Sequence, residues 1–136
     1  MTIELLANID VDDLERAIEF YDSALGLQLG RRLGDSVAEM LGASSAIYLL
    51  AKPAGSPVSV NIAQRRDYQR HWTPVHLDFV VVDVHVAVQK AKAAGAQLEG
   101  DIQTHVWGHI ANLADPFGNG FCLIEFIGGG YDEIAR

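Results

Sequence analysis

Apolar and polar residues alternate from Ile3 to Val11, with Leu5, Ala7, Ile9 and Val11 on one face and Leu6, Asn8 and Asp10 on the other. This period of two predicts a strand whose second face is unusually polar. The period then changes. Leu14, Ala17, Ile18, Tyr21 and Leu25 recur at helical spacing behind Asp12, which reads as an N-cap with Glu15 three residues on, and Gly26 stands where a left-handed C-cap belongs. A helix over residues 13–25 follows, then short strands near Leu27–Leu33, Val37–Leu41 and Ala46–Ala51, divided by Gly34-Asp35 and Gly42-Ala43-Ser44-Ser45. After a connector over about 64–73, the same order returns. His76, Asp78 and Val80 alternate with Leu77, Phe79 and Val81, a helix runs from Val84 to Ala94 with Gly95 behind it, and strands follow near Ala96–Leu98, His105–Leu113 and Gly120–Ile127.

The recurrence is visible residue by residue. At a shift of 70 positions Val11 meets Val81, Asp13 meets Asp83, Ala17 meets Ala87 and Ala24 meets Ala94. At a shift of 74, Ala46-Ile47-Tyr48-Leu49 meets Gly120-Phe121-Cys122-Leu123. The unit is too long for a solenoid repeat and too few in number for a propeller, so it reads as a duplicated βαβββ module. The modules span about 3–63 and 74–128 within a single 136-residue domain. Regular β–α alternation is missing, which makes the fold class α+β.

Composition excludes several functions. Hydrophobic residues at 49% and charged residues at 21% are ordinary globular values. A formal net charge of -8 predicts no nucleic-acid partner, and Arg65, Arg66 and Arg70 form a solvated connector face. No apolar run approaches the roughly 20 residues of a membrane span, and Met1-Thr2-Ile3-Glu4 lacks a signal-peptide start. One cysteine, Cys122, fits a reducing compartment, so the expected location is cytoplasmic.

Three stretches carry a family resemblance: Asp13 to Tyr21 followed by Leu25-Gly26-Leu27, His76-Leu77-Asp78-Phe79-Val80, and Trp107-Gly108 followed by Leu113 to Gly120. Together with the doubled βαβββ order they resemble the vicinal oxygen chelate superfamily, which includes glyoxalase I, bleomycin-resistance proteins and extradiol dioxygenases. The resemblance implies paired modules forming a curved mixed sheet around a cavity, and a homodimer. It also implies four inward strand positions that hold a divalent metal in many relatives. Here these map to Leu6, Tyr48, His76 and Cys122. Leu has no donor atom and only His76 keeps a ligand type of the family, so the expected cofactor is none, with a divalent metal as the alternative.

The residues expected to border the cavity are Asn8, Tyr48, His76, Asp78, Trp107 and Cys122. Asn8 and Asp78 occupy equivalent repeat positions beside Leu6 and His76, and each needs a hydrogen-bond partner or a ligand. Trp107 offers aromatic area for a flat or cationic molecule, and on the predicted strand it shares parity with His105 and His109, so all three are expected on one face. Glu125 lies three residues past Cys122, and strict alternation turns it to the opposite face. The favoured function is capture of a small molecule, with cationic ones favoured by the acidic balance, in a metal-free cavity of the bleomycin-resistance type. The alternatives are a metal-dependent lyase or dioxygenase, which needs two of His105, His109, Asp78 and Glu125 to converge on His76, and a metal-free enzyme with Asp78 or His76 as general base.

Overall fold

A computed structural model describes residues 1–136. The chain divides into two compact units, Met1–Gln69 and Arg70–Arg136. The first contains β1 (Ala7–Val11), α1 (Leu14–Leu25), β2 (Gln28–Leu33), β3 (Val37–Leu41) and β4 (Ile47–Ala51). The second contains β5 (Leu77–Val80), α2 (Val84–Ala94), β6 (Gln97–Leu98), β7 (Gln103–His105), β8 (Gly108–Ala114) and β9 (Gly120–Phe126), and ends in a 3-10 turn at Gly130–Glu133. Each unit is βαβββ, with the short β7 added in the second. The sheets run β1-β4-β3-β2 and β5-β9-β8-β6, with β7 on β8. In each, the first strand pairs in parallel with the last and the remaining pairs are antiparallel. The class is α+β with two sheets and no closed barrel, and no helix is long and apolar enough to cross a membrane.

Both helices start and stop for the same local reasons. The Asp13 carboxylate accepts from Arg16 N at 3.1 Å, and the Asp83 carboxylate accepts from His85 N and Val86 N at 3.0 and 3.1 Å. These contacts satisfy amides that would otherwise lack partners in the first turn. The cap of α1 is therefore Asp13, one residue later than the expected Asp12, because its side chain is the one within reach of the third helical amide. Gly26 at φ 72° and Gly95 at φ 118° close the two helices in the left-handed region.

In the first unit, Val11, Ala17, Tyr21, Ala38, Met40 and Leu49 are buried, with Ala38 and Met40 opposite Leu49 and Ile47 on β3 and β4. In the second, Val84, Val88, Ala91, Ala111, Leu113, Phe121 and Leu123 are buried. Leu113 stands opposite Phe121 and Ala111 opposite Leu123. One sheet face packs on its helix in each unit. The alternate residues of the same strands form the other face, here called the open face.

Three expected features differ. The strand expected from Ile3 begins at Ala7, because β4 begins at Ile47 and offers residues before Ala7 no ladder partner. The strand expected over His105–Leu113 is two strands joined at Val106-Trp107, with His105 opposite Gly108 and Thr104 opposite His109. A hairpin turn there removes the shared parity assumed for His105, Trp107 and His109. The arginines of the connector are engaged: Arg66 Nε meets Asp10 Oδ2 at 2.7 Å, and Arg70 pairs with Glu99.

Candidate functional site

The open face of the second unit carries a row of polar side chains. Asp78 on β5 stands opposite Cys122 on β9, and Cys122 opposite Asn112 on β8. Beyond them Glu99, just past β6, donates its backbone N–H to the Asn112 carbonyl at 2.8 Å. His76 precedes β5 and its Nε2 lies 3.2 Å from Asp78 Oδ1, with both side chains about 40% exposed (41% and 38%). The Cys122 thiol donates to Asn112 Oδ1 at 3.0 Å. Burial, then the nearby Asp78 carboxylate, pushes the Cys122 thiol up to about 11. This cysteine is a hydrogen-bond donor at neutral pH and a poor nucleophile.

His76, Glu99, Asn112 and Cys122 border a cavity of about 180 Å³ whose walls also include Arg70, Trp72 and Gly120, while Asp78 stands beside His76 and Cys122 just outside the lining. Arg70 reaches Glu99 through both ends of its fork, Nε to Oε2 at 2.7 Å and Nη2 to Oε1 at 2.8 Å. The Arg70 guanidinium beside Glu99 holds that carboxyl below the ordinary range. Gly120 makes the seat for this guanidinium, since a Cβ there would stand 2.6 Å from Nη2.

The expected residues fall into three places. His76, Asp78 and Cys122 come together, with one ligand atom from each within 4.8 Å of the others. Asn8 and Tyr48 are adjacent on the open face of the first unit, paired in the β1–β4 register. Trp107 lies in the β7–β8 turn, stacked on His105 at 5.1 Å between ring centroids and in contact with Tyr131 at 5.2 Å. From Asn112, which borders the cavity, to Trp107 is five residues along β8, about 16 Å of strand. The aromatic side chain beside this cavity is Trp72. Glu125 stays on the helix side as strict alternation requires, where its Oε1 accepts from Val84 N at 2.9 Å. His109 meets Thr104 at 2.9 Å, and no strand brings it to His76.

Sequence reasoning missed a second network, in the first unit. Glu39 on β3 stands opposite Tyr48 and is only 7% exposed. It accepts from Arg31 Nε and Nη2 at 3.0 and 2.7 Å and from the Tyr48 hydroxyl at 3.0 Å. The Arg31 hydrogen bonds hold its carboxyl far below the usual range, down to about 2, against the opposing effect of desolvation. The repeat makes Glu39 the counterpart of Asn112 and Tyr48 that of Cys122. In both units an X–H group on the last strand donates to an oxygen on its antiparallel neighbour. The only sequence signal was an acidic residue between Ala38 and Met40 in an otherwise apolar strand.

A pH dependence follows from Glu39. Its folded-state value lies below the unfolded one, so its stabilising contribution is complete above about pH 4.5 and drains away as pH falls toward 2. Glu39→Gln is expected to lower the melting temperature at pH 7 and to remove part of the further fall between pH 5 and pH 3. Parallel melting curves of wild type and variant across that window would contradict this.

Residues 7–124 match the glyoxalase-like domain family. No curated protein matches the sequence. Among solved structures, the chain is similar to a genomically encoded fosfomycin resistance protein from Listeria monocytogenes, at 16% identity and TM-score 0.70 over 93% of this chain and 95% of that one. It is similar to a glyoxalase/bleomycin resistance protein/dioxygenase family enzyme from Burkholderia phytofirmans PsJN, at 22% identity and TM-score 0.69 over 90% and 97%. It is also similar to an antibiotic binding protein from Streptomyces sp. CB03234, at 21% identity and TM-score 0.65 over 93% and 98%. Likeness at these identities concerns the fold, whereas the domain match spans both units, and on that match the chain belongs to the glyoxalase-like domain family, with the glyoxalase/bleomycin-resistance fold.

Proposed function

We propose that this protein captures a small, positively charged organic molecule without a metal, in the cavity on the open face of its second unit. One observation carries the reading. The side chains nearest the family's metal position spend their polar atoms on one another: the Cys122 S–H donates a hydrogen bond to Asn112 Oδ1, and His76 and Asp78 hold each other. Leu6, at a third family position, has no donor and lies before β1. A hard divalent ion would need several oxygen or nitrogen ligands, and to use Cys122 it would have to displace a proton held to about pH 11. The donor set does not fit such an ion.

The charge supports a cation. Asp78 and Glu99 bring two carboxylates to this face against the single guanidinium of Arg70. Trp72, 73% exposed beside the opening, supplies an aromatic face. The antibiotic-binding and resistance proteins among the structural neighbours are consistent with small-molecule capture on this fold. Of the residues expected to contact the ligand, His76 and Cys122 line this cavity and Asp78 stands beside them. A homodimer is part of the proposal, supported by the exposed Leu29, Leu33 and Leu41 on and next to edge strand β2, and so is a cytoplasmic location, supported by the single cysteine.

One observation favours a second reading, a metal-dependent lyase or dioxygenase: a nitrogen, an oxygen and a sulfur donor lie within 4.8 Å of one another at His76, Asp78 and Cys122. Elemental analysis after incubation with Zn, Ni, Mn and Fe salts separates the two. Metal far below one equivalent per chain, and no rise in melting temperature with any ion, is expected. About one equivalent of metal, lost in His76→Ala, would install the second reading instead.

A further inference from the structure

We infer that the molecule held in this cavity is a small ampholyte, an aromatic α-amino acid or a close analogue, with its carboxylate on Arg70 and its ammonium at Asp78. This rests on the capture of a cation proposed above and adds a second charge of opposite sign. Four observations lead there.

The first is the geometry of Arg70. A guanidinium presents two forked edges to carboxylates, one made by Nε with an Nη and one by the two Nη atoms. Glu99 takes the Nε–Nη2 edge. Nη1 donates to the His71 carbonyl, which leaves one N–H on each Nη. Glu99 therefore fixes the guanidinium without exhausting it.

The second is Gly120. Any side chain there would collide with Nη1, Nη2 and the central carbon of Arg70, at 3.2, 2.6 and 3.0 Å from an added Cβ. Gly120 shares the open face with Cys122 two residues on, so the guanidinium lies over the start of β9. It lines the cavity there with its side chain one-third exposed (33%).

The third is the Asn112 side-chain amide. Because the Cys122 thiol donates to its Oδ1, the amide is oriented and its NH2 group is left for a ligand acceptor. The cavity thus offers donors from both Arg70 and Asn112 at one end. Asp78, an acceptor, stands at the cavity's border beside the lining residues Cys122 and His76.

The fourth is spacing. Two residues along β9 and one strand across separate Gly120, beneath the Arg70 guanidinium, from Asp78, roughly 8 Å between backbone positions by strand geometry. An α-amino acid with one hydrogen bond at its ammonium and one at its carboxylate spans about 8 to 9 Å. Trp72 borders the same cavity and gives an aromatic side group something to pack on.

Calorimetric titration of the intact protein with three probes tests this: L-phenylalanine, phenethylamine (ammonium only) and 3-phenylpropionate (carboxylate only). Phenylalanine is expected to bind about tenfold or more tightly than either single-charge probe. Arg70→Lys, which keeps the charge and loses the fork, is expected to abolish that advantage over phenethylamine while leaving phenethylamine binding in place. Gly120→Ala, which displaces the guanidinium without removing it, should act in the same direction and covers the case in which the Arg70 variant folds poorly. Asp78→Asn should weaken both amines. If phenethylamine binds as tightly as phenylalanine, cation capture stands and the ampholyte inference falls. If none of the three binds up to about 10 mM, both fall.

Discussion

Gly108→Ala is expected to destabilise the protein by about 3 kcal/mol. Gly108 pairs with Phe126 at the end of the β8–β9 ladder, and an added Cβ would stand 2.3 Å from the Glu125 carbonyl oxygen and 3.1 Å from Phe126 Cα. Those atoms are backbone and cannot swing aside. They are also held from two directions, since Ile127 N donates to Trp107 O at 3.0 Å and the Glu125 side chain accepts from Val84 N at the start of α2. Relief requires parting the strands, which would disturb the ladder and the helix N-terminus together. Gly30 is the useful contrast: an added Cβ there would meet the Glu39 carboxylate and the Leu41 side chain at 2.8 Å, groups that can rotate away. Urea denaturation of both variants should therefore give a much larger loss for Gly108→Ala. Equal midpoints for Gly108→Ala and wild type would show that the hairpin is not packed as described.

The second large effect concerns the thiol. At pH 8, native Cys122 is expected to react with iodoacetamide roughly 100-fold more slowly than in the urea-unfolded chain, because the thiolate is the reactive form and the folded site moves the thiol from 9.0 to about 11. Burial is the largest cause and Asp78 the next, so Asp78→Asn should recover part of the rate and unfolding all of it. The sign for stability follows. With the folded value above the unfolded one, the contribution of the protonated thiol is complete below about pH 9 and is lost as pH rises through 11. Equal alkylation rates in folded and unfolded protein would remove the thiol from its role as donor to Asn112, and with it the orientation of that amide.

What could be read from the sequence was what local chemistry determines. The helix C-terminal ends rest on Gly26 and Gly95, whose partners are a few residues away, whereas the N-cap of α1 is Asp13, one residue past the expected Asp12. The pairing of Asp78 with Cys122 on one face follows from parity once the repeat aligns β4 with β9. Parity also placed Glu125 on the opposite face. The contacts that were missed span longer distances. Arg70 meets Glu99 across 29 residues, and Arg66 meets Asp10 across 56. No periodicity records such pairings, which depend on where the connector is laid down. Trp107 illustrates the other kind of miss. A strand pattern continues smoothly through Val106-Trp107, and only the pairing of His105 with Gly108 reveals the reversal.

The alternation along β5 and β9 has an evolutionary consequence. Leu77, Phe79, Phe121 and Leu123 share the helix-facing side, while Asp78 and Cys122, between them in sequence, belong to the open face. Stability and ligand choice are thereby written on interleaved positions of the same short segments. Selection can rewrite one set while the other is conserved. A scaffold organised in this way can exchange the side chains of its open face and still fold, and its two halves are free to make different exchanges. The acid at Glu39 facing a phenol in one half, and the amide at Asn112 facing a thiol in the other, read as two such divergent outcomes from one ancestral arrangement.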